Sequence, residues 1–297
     1  MNAKHPIIAL IFPAYNEKLT IAQTIEAFHK AVPEAHIYVI DNNSQDATGE
    51  IAADLISKLG CHGQVISEHR QGKGNALRRA FQTIDADVYL LADADCTYPA
   101  EMARELMKPI INDKADMVVG DRRSGGDYGR ENKRPFHDFG NVLVQGLVNF
   151  LFHSNVVDIM SGYRAFSRLF VKNYPVLVEG FEIETDMTLH ALHKRFRIIE
   201  IPIRYRDRPT GSVSKLNTFA DGTKVIFTIL QILRYYRPLM FFGGLSVVFC
   251  ATGLLCSIPV LNDWINSKYI YHVPLAILAT GLEIVAVMMF SIGLILD

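Results

Sequence analysis

The segment LLADADCTYPA, residues 90–100, ends an apolar run with two aspartates that stand one residue apart. The run from Val88 to Ala92 is almost without polarity, which is typical of a strand buried on both faces. Asp93 and Asp95 follow it, and two carboxylates this close repel each other unless a cation or a hydrogen-bond donor lies between them. The alternative is that one of them simply caps a helix that begins near Pro99.

Strand and helix signals alternate through the first 120 residues, and this strand is the fourth in the series. Short apolar runs predict strands over residues 7–12, 36–40, 64–67, 88–92 and 116–120. Apolar residues at helical spacing predict helices over 19–32, within 42–60, over 74–84 and from 99 onward. The order predicts an α/β fold, with a mostly parallel sheet that has helices on both faces.

Four aspartates stand at or just past the carboxyl ends of predicted strands: Asp41, Asp93, Asp95 and Asp121. Ligands of such sheets bind beyond the carboxyl ends of the strands, so this coincidence favours a site over a set of helix caps. The pattern Asp-x-Asp supplies hard oxygen ligands, which suit Mg²⁺ or Mn²⁺ bound together with substrate phosphates. A metal-bridged diphosphate is therefore the simplest interpretation.

Glycine motifs narrow the class of ligand. The first strand leads into FPAYNE, residues 12–17, which is not a dinucleotide-binding glycine fingerprint, and the chain has no Walker loop. The stretch RQGKGNALRRA, residues 70–80, places a lysine between glycines at the start of a helix. Such a start suits an anion, although Gly-Lys-Gly also makes an ordinary turn.

Charge and cysteine content exclude several classes of protein. The 297 residues carry 30 basic and 31 acidic side chains, so no nucleic-acid partner is expected. The four cysteines show no metal-ligand spacing and indicate a reducing, cytoplasmic compartment without a disulfide framework. The amino terminus has no apolar stretch long enough for a signal peptide.

The carboxyl-terminal tail contains two long apolar stretches, residues 239–261 and 273–296, in which the only charge is Glu283. Each exceeds the roughly 20 residues that span a bilayer, so they predict a two-helix transmembrane hairpin, the alternative being a buried hairpin of a soluble protein. Basic residues precede the first stretch, whereas the connecting loop offers only Lys268. The positive-inside rule then places residues 1–238 in the cytoplasm and the protein in the cytoplasmic (inner) membrane as a multi-pass protein.

Two further segments are amphipathic. Residues 140–153 have a broad apolar face that suits either core packing or a helix lying in the membrane interface. Residues 216–236 end in RYYR and predict a second interfacial helix. The expected domains are thus 1–213, a juxtamembrane helix over 214–238, and the hairpin over 239–297. A carboxyl group within a membrane is unfavourable, so Glu283 predicts pairing with a partner helix in a homo-oligomer.

Six motifs, in this order, resemble those of the inverting family 2 glycosyltransferases of GT-A fold: FPAYNE, VIDNNSQDAT, GKGNALRRA, LLADAD, SGYRAFSR and RPTGSVSKL. Within that family, the chain is most similar to the dolichol-phosphate mannose synthase type, and the resemblance covers about residues 5–240. It implies a membrane-bound enzyme that transfers a sugar from a UDP- or GDP-sugar to undecaprenyl or dolichyl phosphate with inversion. The product would be a lipid-linked sugar for cell-envelope glycan modification, and Mg²⁺ or Mn²⁺ would be the cofactor.

The resemblance also implies roles for individual residues. Those expected at the nucleotide-sugar are Pro13, Tyr15, Glu17, Asp41, Asn43, Lys73, Asp93 and Ala94. Asp93 and Asp95 would hold the metal, and Thr97 stands where the best-matched relatives carry a metal-binding glutamine. The residues expected in catalysis are Asp95, Arg122, Arg134 and Arg208. Those expected at the acceptor phosphate are Arg122, Arg134, Asp138, Arg208 and Lys215, with Asp138 standing where a hydroxyl residue is usual.

The chemistry of a lipid phosphate is consistent with this arginine content. Its oxygen is already a nucleophile, so that no general base is required, but two anions have to be brought together. Solvated surface charge is the alternative for these arginines. Glu182, Glu184 and Asp186 near a predicted helix start suit either dipole capping or support of the active site.

Two other functions stay open at this point. A processive polysaccharide synthase would carry a Gln-x-x-Arg-Trp segment, whereas the only tryptophan is Trp264 in the loop between the apolar stretches. A non-catalytic nucleotide-sugar sensor in the membrane is the other alternative.

Overall fold

The structure is a computed structural model. It describes residues 6–124, 135–176, 178–179, 183–204 and 230–297, with no side chains for 135–141. The chain divides into two compact units, Met1–Thr218 and Phe219–Asp297. The strands of the first unit are β1 Ile8–Ala14, β2 His36–Asp41, β3 Gly63–Ser67, β4 Val88–Leu91, β5 Met117–Asp121, β6 Arg164–Ser167 and β7 Ile198–Pro202. Its helices are α1 Ile21–Ala31, α2 Thr48–Leu59, α3 Lys73–Thr83, α4 Ala103–Ile111, α5 Pro135–Phe152, α6 Arg168–Asn173 and α7 Ile183–His193.

The seven strands form one mixed, mostly parallel sheet in the order β3-β2-β1-β4-β6-β5-β7. Strands β3, β2, β1 and β4 run parallel to one another, as β5 does to β7, which confirms the predicted α/β class. The neighbour of β4, however, is β6, which pairs antiparallel with both β4 and β5. The sequence analysis did not predict β6, because its four residues are too few to show alternation and include an arginine.

The core lies on both faces of the sheet, because alternate residues of a strand point to opposite sides. In β1, Leu10 and Phe12 pack under α1 and α4, whereas Ala9 and Ile11 pack against α3 on the other face. All four side chains are buried. The short apolar runs of the sequence are therefore central strands covered by helices on both faces, as predicted.

The helix expected from Pro99 begins as a single 3-10 turn, Ala100–Met102, and continues as α4. Pro99 and Met102 occupy the two cap positions, and neither makes a side-chain cap hydrogen bond. Asp93 and Asp95 thus cap neither element, so the helix-cap interpretation of the two aspartates is wrong.

The second unit is a pair of long helices, α8 Pro238–Ser267 and α9 Val273–Leu296, each long and apolar enough to cross a membrane. Only 6% of the most apolar stretch of α8 and 11% of that of α9 is buried, which contradicts the alternative of a buried soluble hairpin. Helix α8 extends past the predicted end at residue 261 through a polar segment, and ends where Lys268 adopts a left-handed φ of 52°. Of the juxtamembrane segment, residues 230–238 are described, and residues 230–236 are helical.

Small residues let α8 and α9 approach each other closely. A β-carbon added at Gly253 would lie 2.6 Å from the Glu283 carboxyl, and one at Gly293 would lie 3.2 Å from Phe242. The Ser246 hydroxyl donates to the Ala286 carbonyl at 2.8 Å. The Glu283 carboxyl therefore lies against the other helix of its own hairpin, so its place gives the predicted oligomer no support.

Candidate active site

The aspartates at the strand ends lie along one edge of the sheet. Asp41 ends β2 and is paired in register with Ala14 at the end of β1, while β4 runs parallel to β1 on its other side. Asp93 and Asp95 follow β4 directly, and Asp121 ends β5, which runs in the same direction two positions along the sheet. The edge is where ligands of parallel sheets bind, so the structure agrees with the location expected for the site.

Lys73, at the start of α3, reaches into the protein and contacts two carboxylates. Its Nζ atom lies 2.5 Å from Asp93 Oδ1 and 2.5 Å from Glu184 Oε1, and its side chain is 9% exposed. Burial alone would lower the pKa of Lys73, but the two carboxylates raise it well above its usual value, so the ammonium stays charged. The lysine expected beside a diphosphate thus already bridges the first aspartate of Asp-x-Asp to helix α7.

Asp95 is buried and is held from within its own turn. Its Oδ1 atom accepts a hydrogen bond of 2.6 Å from the Thr97 hydroxyl and one of 3.2 Å from the Thr97 amide. Thr97 is 1% exposed and Asp95 is 3% exposed. The Thr97 hydroxyl, which stands where the best-matched relatives carry a glutamine, therefore contacts the second aspartate.

The loop before β6 covers the Lys73–Asp93 pair. A β-carbon at Gly162 would lie 3.0 Å from both Asp93 Oδ2 and Lys73 Nζ. The Gly162 amide donates to the Tyr98 hydroxyl at 2.9 Å, and Tyr98 stacks on Tyr163 with 5.0 Å between ring centroids. The motif SGYR thus has a packing reason for its glycine, since any larger residue would press on both charged groups.

The glycines around Lys73 allow close backbone contact. A β-carbon would lie 2.1 Å from the Glu179 carbonyl if added at Gly72, and 2.1 Å from the Val178 carbonyl if added at Gly74. The Gly74 amide donates to the Glu179 carbonyl at 3.0 Å. This amide in the first turn of α3 is therefore committed within the protein, and anion binding at this helix start stays a prediction.

Asn42 fixes the loop that leads to Lys73. Its Nδ2 atom donates to the Arg70 carbonyl at 2.7 Å, and its Oδ1 atom accepts from the Gly72 amide at 2.8 Å. Asn42 is 5% exposed and stands directly after Asp41. The sequence analysis did not single it out, although its position within VIDNNSQDAT was the available signal.

Asp41 lies against the start of α2. Its Oδ1 atom accepts from the Ser44 amide at 3.1 Å, and a β-carbon at Gly49 would lie 2.9 Å from Oδ2. The loop after β1 is tied to the same helix, since the Glu17 amide donates to the Thr48 hydroxyl at 2.9 Å. The other residues expected at the nucleotide stand in these two loops, on β1 or within Asp-x-Asp: Pro13, Tyr15, Asn43 and Ala94.

Arg122 is engaged in a buried ion pair just past β5. Its Nε and Nη2 atoms lie 2.8 and 2.9 Å from the two carboxylate oxygens of Asp158. Burial alone would raise the pKa of Asp158, but the hydrogen bonds from Arg122 hold it below its usual value. The backbone amides of Val157 and Asp158 donate to the Glu200 carboxylate on β7, at 2.8 and 2.9 Å respectively. The expected phosphate-binding arginine thus has a carboxylate partner in this structure.

Four of the expected acceptor residues belong to segments whose side chains the structure does not describe. Arg134, Arg208 and Lys215 lie outside the described residues. Asp138 lies in the first part of α5, residues 135–141, of which only the backbone is described.

Arg164, which the sequence analysis did not anticipate, is fully buried in β6. Its guanidinium donates to the Ser161 carbonyl at 2.7 Å, the Ile159 carbonyl at 2.5 Å and the Thr188 hydroxyl at 2.8 Å. Burial lowers its pKa, an effect opposed by the charge of Glu184. Arg164 thereby joins the SGYR loop to α7, the helix that carries the second partner of Lys73.

The donor set suits a small divalent cation that is shared with a phosphate ligand. Asp93 and Asp95 provide hard oxygens, and the described part of the chain contains no group of three or more metal-binding side chains. Mg²⁺ is typically held by one or two carboxylates, with substrate phosphates and water completing its shell. The residues therefore fit such an ion.

Comparison with known proteins identifies the family. The model of "Glycosyl transferase family 2" matches residues 9–174. Glycosyltransferase AglJ of Haloferax volcanii is 30% identical over 98% of this chain and 92% of its own length. The chain belongs to glycosyl transferase family 2.

This family 2 glycosyltransferase is also similar to a named relative and to a solved structure. The polyprenol monophosphomannose synthase of Mycolicibacterium smegmatis is 28% identical over 70% of this chain and 80% of its own length. The structure of glucosyl-3-phosphoglycerate synthase from Mycobacterium tuberculosis, in complex with Mn²⁺, UDP and phosphoglyceric acid, superimposes with a TM-score of 0.59. It is 22% identical, with 77% of this chain and 78% of that chain covered, and so supports the GT-A-like fold alone.

Proposed function

We propose that this family 2 glycosyltransferase transfers a sugar from a nucleotide-sugar to a polyprenyl phosphate, with inversion at the transferred carbon. The observation that carries the proposal is the Asp93–Asp95 pair at the end of β4, beside buried Lys73, in a chain that also has two apolar helices. A relative of this chain is named for polyprenol monophosphomannose synthesis, which supports the acceptor class. The product serves cell-envelope glycan modification.

The donor nucleotide, UDP or GDP, binds at the ends of β1 and β2. Asp41 accepts hydrogen bonds from the nucleoside, and Tyr15 and Glu17 line the same loop. The β1–α1 and β2–α2 loops are fastened to each other through Glu17 and Thr48, which fixes this side of the site before the ligand arrives. The remaining nucleotide-sugar residues of the proposal are Pro13, Asn43, Lys73, Asp93 and Ala94.

Asp93 and Asp95 hold Mg²⁺ or Mn²⁺. When bound there, the ion neutralises charge on the diphosphate. A fold neighbour was crystallised with Mn²⁺ and UDP, in support of divalent metal use. Lys73 keeps Asp93 in place and lowers the repulsion between the two aspartates. No side chain has to act as general base, because a phosphate oxygen of the acceptor is already a nucleophile.

The acceptor phosphate is bound by arginine and lysine. A phosphate monoester and a diphosphate repel each other by several kcal/mol at close range, at an effective dielectric constant of about 20. Arg122, Arg134, Arg208 and Lys215 offset this repulsion, and Asp138 is assigned to the same acceptor site. Arg122 contributes from its ion pair with Asp158, which holds the guanidinium rigidly.

The chain is anchored in the cytoplasmic membrane by the α8–α9 hairpin, with residues 1–238 in the cytoplasm. Helix α5 supports contact with the bilayer surface, because it exposes Val142, Leu143 and Phe150 while burying Val144 and Val148. Exposed apolar side chains on a helix next to polar residues suit the interface of a membrane. Self-association through the hairpin remains part of this proposal.

The test is a thermal-shift panel of UDP- and GDP-sugars with Mg²⁺ or Mn²⁺, run on the full chain in detergent. Sugars that stabilise the protein are then assayed for transfer to undecaprenyl and dolichyl phosphate, and the anomeric configuration of the product is read by NMR. A product that carries many sugar units would instead support a polysaccharide synthase. Binding of a nucleotide-sugar without transfer to either lipid, in the presence of metal, would refute the proposal in favour of a sensor.

A further inference from the structure

Thr97 makes a contact that its place in the turn does not require. The backbone of this turn is already closed by the Thr97 amide, which donates to Asp95 Oδ1 at 3.2 Å, two residues back. The Thr97 hydroxyl adds a second and shorter bond, of 2.6 Å, to the same oxygen. Both residues are almost completely buried, so water competes little for either group.

The hydroxyl controls the orientation of the Asp95 carboxylate. A carboxylate oxygen that is held by one donor leaves the group more freedom to rotate about its last side-chain bond than an oxygen held by two donors, as Asp95 Oδ1 is. Hydrogen bonds to a metal-binding carboxylate set both its direction and its basicity. The Cys96 thiol provides no substitute, because it lies 3.2 Å from the Thr24 hydroxyl and donates to the Thr20 carbonyl at 3.4 Å.

We propose that Thr97 is a positioning residue of the divalent-cation site, whose hydroxyl orients Asp95 and thereby sets the affinity for the metal. The inference rests on the metal site of the proposed function. It assigns to Thr97 an action through Asp95, in place of the direct ligation that a longer amide side chain provides. Among the described residues, the ligands to the cation are then the two aspartates, and the nucleotide diphosphate contributes to the rest of its shell.

The chain offers a matched set of variants. Thr97→Val keeps the shape of the side chain and removes the hydroxyl, whereas Thr97→Ser keeps the hydroxyl. Thr24 is a second buried threonine next to the same turn, and its hydroxyl donates to the Ala94 carbonyl at 3.2 Å without touching a carboxylate. Thr24→Val is therefore the same chemical change at a position that the proposal predicts to be neutral for metal binding.

The experiment measures Mn²⁺ binding to the full chain in detergent by electron paramagnetic resonance of the free ion, alone and with UDP or GDP. Removing an orienting hydrogen bond from a metal ligand weakens binding roughly 10- to 100-fold. We expect Thr97→Val to lose at least tenfold in Mn²⁺ affinity, and Thr97→Ser and Thr24→Val to stay within about threefold of wild type. Melting temperatures are recorded for all variants, and where Thr97→Val does not fold, Thr97→Ala takes its place with the same expectation.

Unchanged Mn²⁺ affinity in folded Thr97→Val would overturn the inference and leave the proposed metal site intact. An equal loss in Thr97→Ser would overturn it as well, since the hydroxyl would then not be the cause. Failure of the wild-type chain to bind Mn²⁺ with either nucleotide would overturn the metal site itself, and the inference with it. A fall in Thr24→Val as large as that in Thr97→Val would show a general effect of loosening the turn and would also overturn it.

Discussion

The ion pairs of Lys73 with Asp93 and Glu184 lead us to a quantitative prediction about the free energy of unfolding. Replacing Lys73 by methionine keeps the length of the side chain but leaves two carboxylates facing each other without a cation between them. The side chains of Lys73 and Glu184 are 9% and 7% exposed, so solvent replaces little of the lost interaction. Removal of one partner from a buried ion pair destabilises a protein by about 3–5 kcal/mol. Because Asp93 is 29% exposed, we expect the lower end of this range.

A loss of about 3 kcal/mol lowers the melting temperature by roughly 6–12 °C in a domain of this size. The assay is thermal unfolding of the full chain in detergent, followed by circular dichroism at neutral pH. Arg168→Met is the matched control, since it breaks the ion pair to Asp85, in which both side chains are more than half exposed. Exposed pairs contribute about 0–1 kcal/mol, so the control should shift the melting temperature by no more than about 4 °C.

A second change tests the cause of the effect. If repulsion between Asp93 and Glu184 causes the loss, Glu184→Gln added to Lys73→Met should restore part of the stability. Such recovery is the signature of coupled residues in a double-mutant cycle. A shift in Lys73→Met no larger than that of Arg168→Met, or no recovery in the double variant, would refute the charge argument.

Three further predictions concern the site and the ion pair behind it. Asp95→Ala should abolish nearly all sugar transfer in the lipid-phosphate assay, because it removes one of the two carboxylates proposed to hold the metal; full transfer in EDTA, with metal shown to be absent, would contradict it. The Arg122 contact holds the pKa of Asp158 below its usual value, so its contribution to stability is present above the unfolded pKa of about 3.9 and is lost as pH falls through the lower folded pKa. The melting temperature of Asp158→Asn should therefore fall less steeply than that of wild type below about pH 4, and parallel curves would count against the pair. Gly162→Ala should weaken binding of Mn²⁺ with UDP or GDP in calorimetry, because the new methyl group would lie 3.0 Å from Asp93 Oδ2; unchanged affinity would mean that the loop moves aside freely.

The sequence predicts those parts of the fold that depend on local pattern. Buried strands and amphipathic helices alternate visibly, and the aspartates at predicted strand ends lie along one edge of the sheet, where Asp41 pairs with Ala14. The antiparallel insertion of β6 could not be predicted, because strand order depends on contacts between distant segments. An arginine in a buried strand is unexpected from sequence, and Arg164 is accommodated there by four hydrogen-bond acceptors.

The candidate site, like the fold, has parts that the sequence predicts and parts that it cannot predict. Residue types at fixed spacing predict Asp93 and Asp95 as a pair, but no spacing relates Lys73 to Glu184, which lie far apart in the chain and meet only in the folded protein. The glycines beside Lys73 were interpreted as an anion cradle or a turn. Their actual neighbours are the carbonyls of residues 178 and 179, which the sequence alone cannot indicate.

The charge balance at β4 explains why a lysine and a divalent cation can both belong to one site. Lys73 contacts Asp93 through Oδ1, while Thr97 engages Asp95 through Oδ1, so each aspartate has one oxygen fixed by the protein itself. Glu184 adds a negative charge that balances Lys73, and the site therefore remains acidic enough to attract a cation. Two carboxylates, one of them already paired with an ammonium group, hold such a cation weakly on their own. In the proposed site, a diphosphate would supply the missing ligands and charge, so we expect the metal to bind together with the nucleotide.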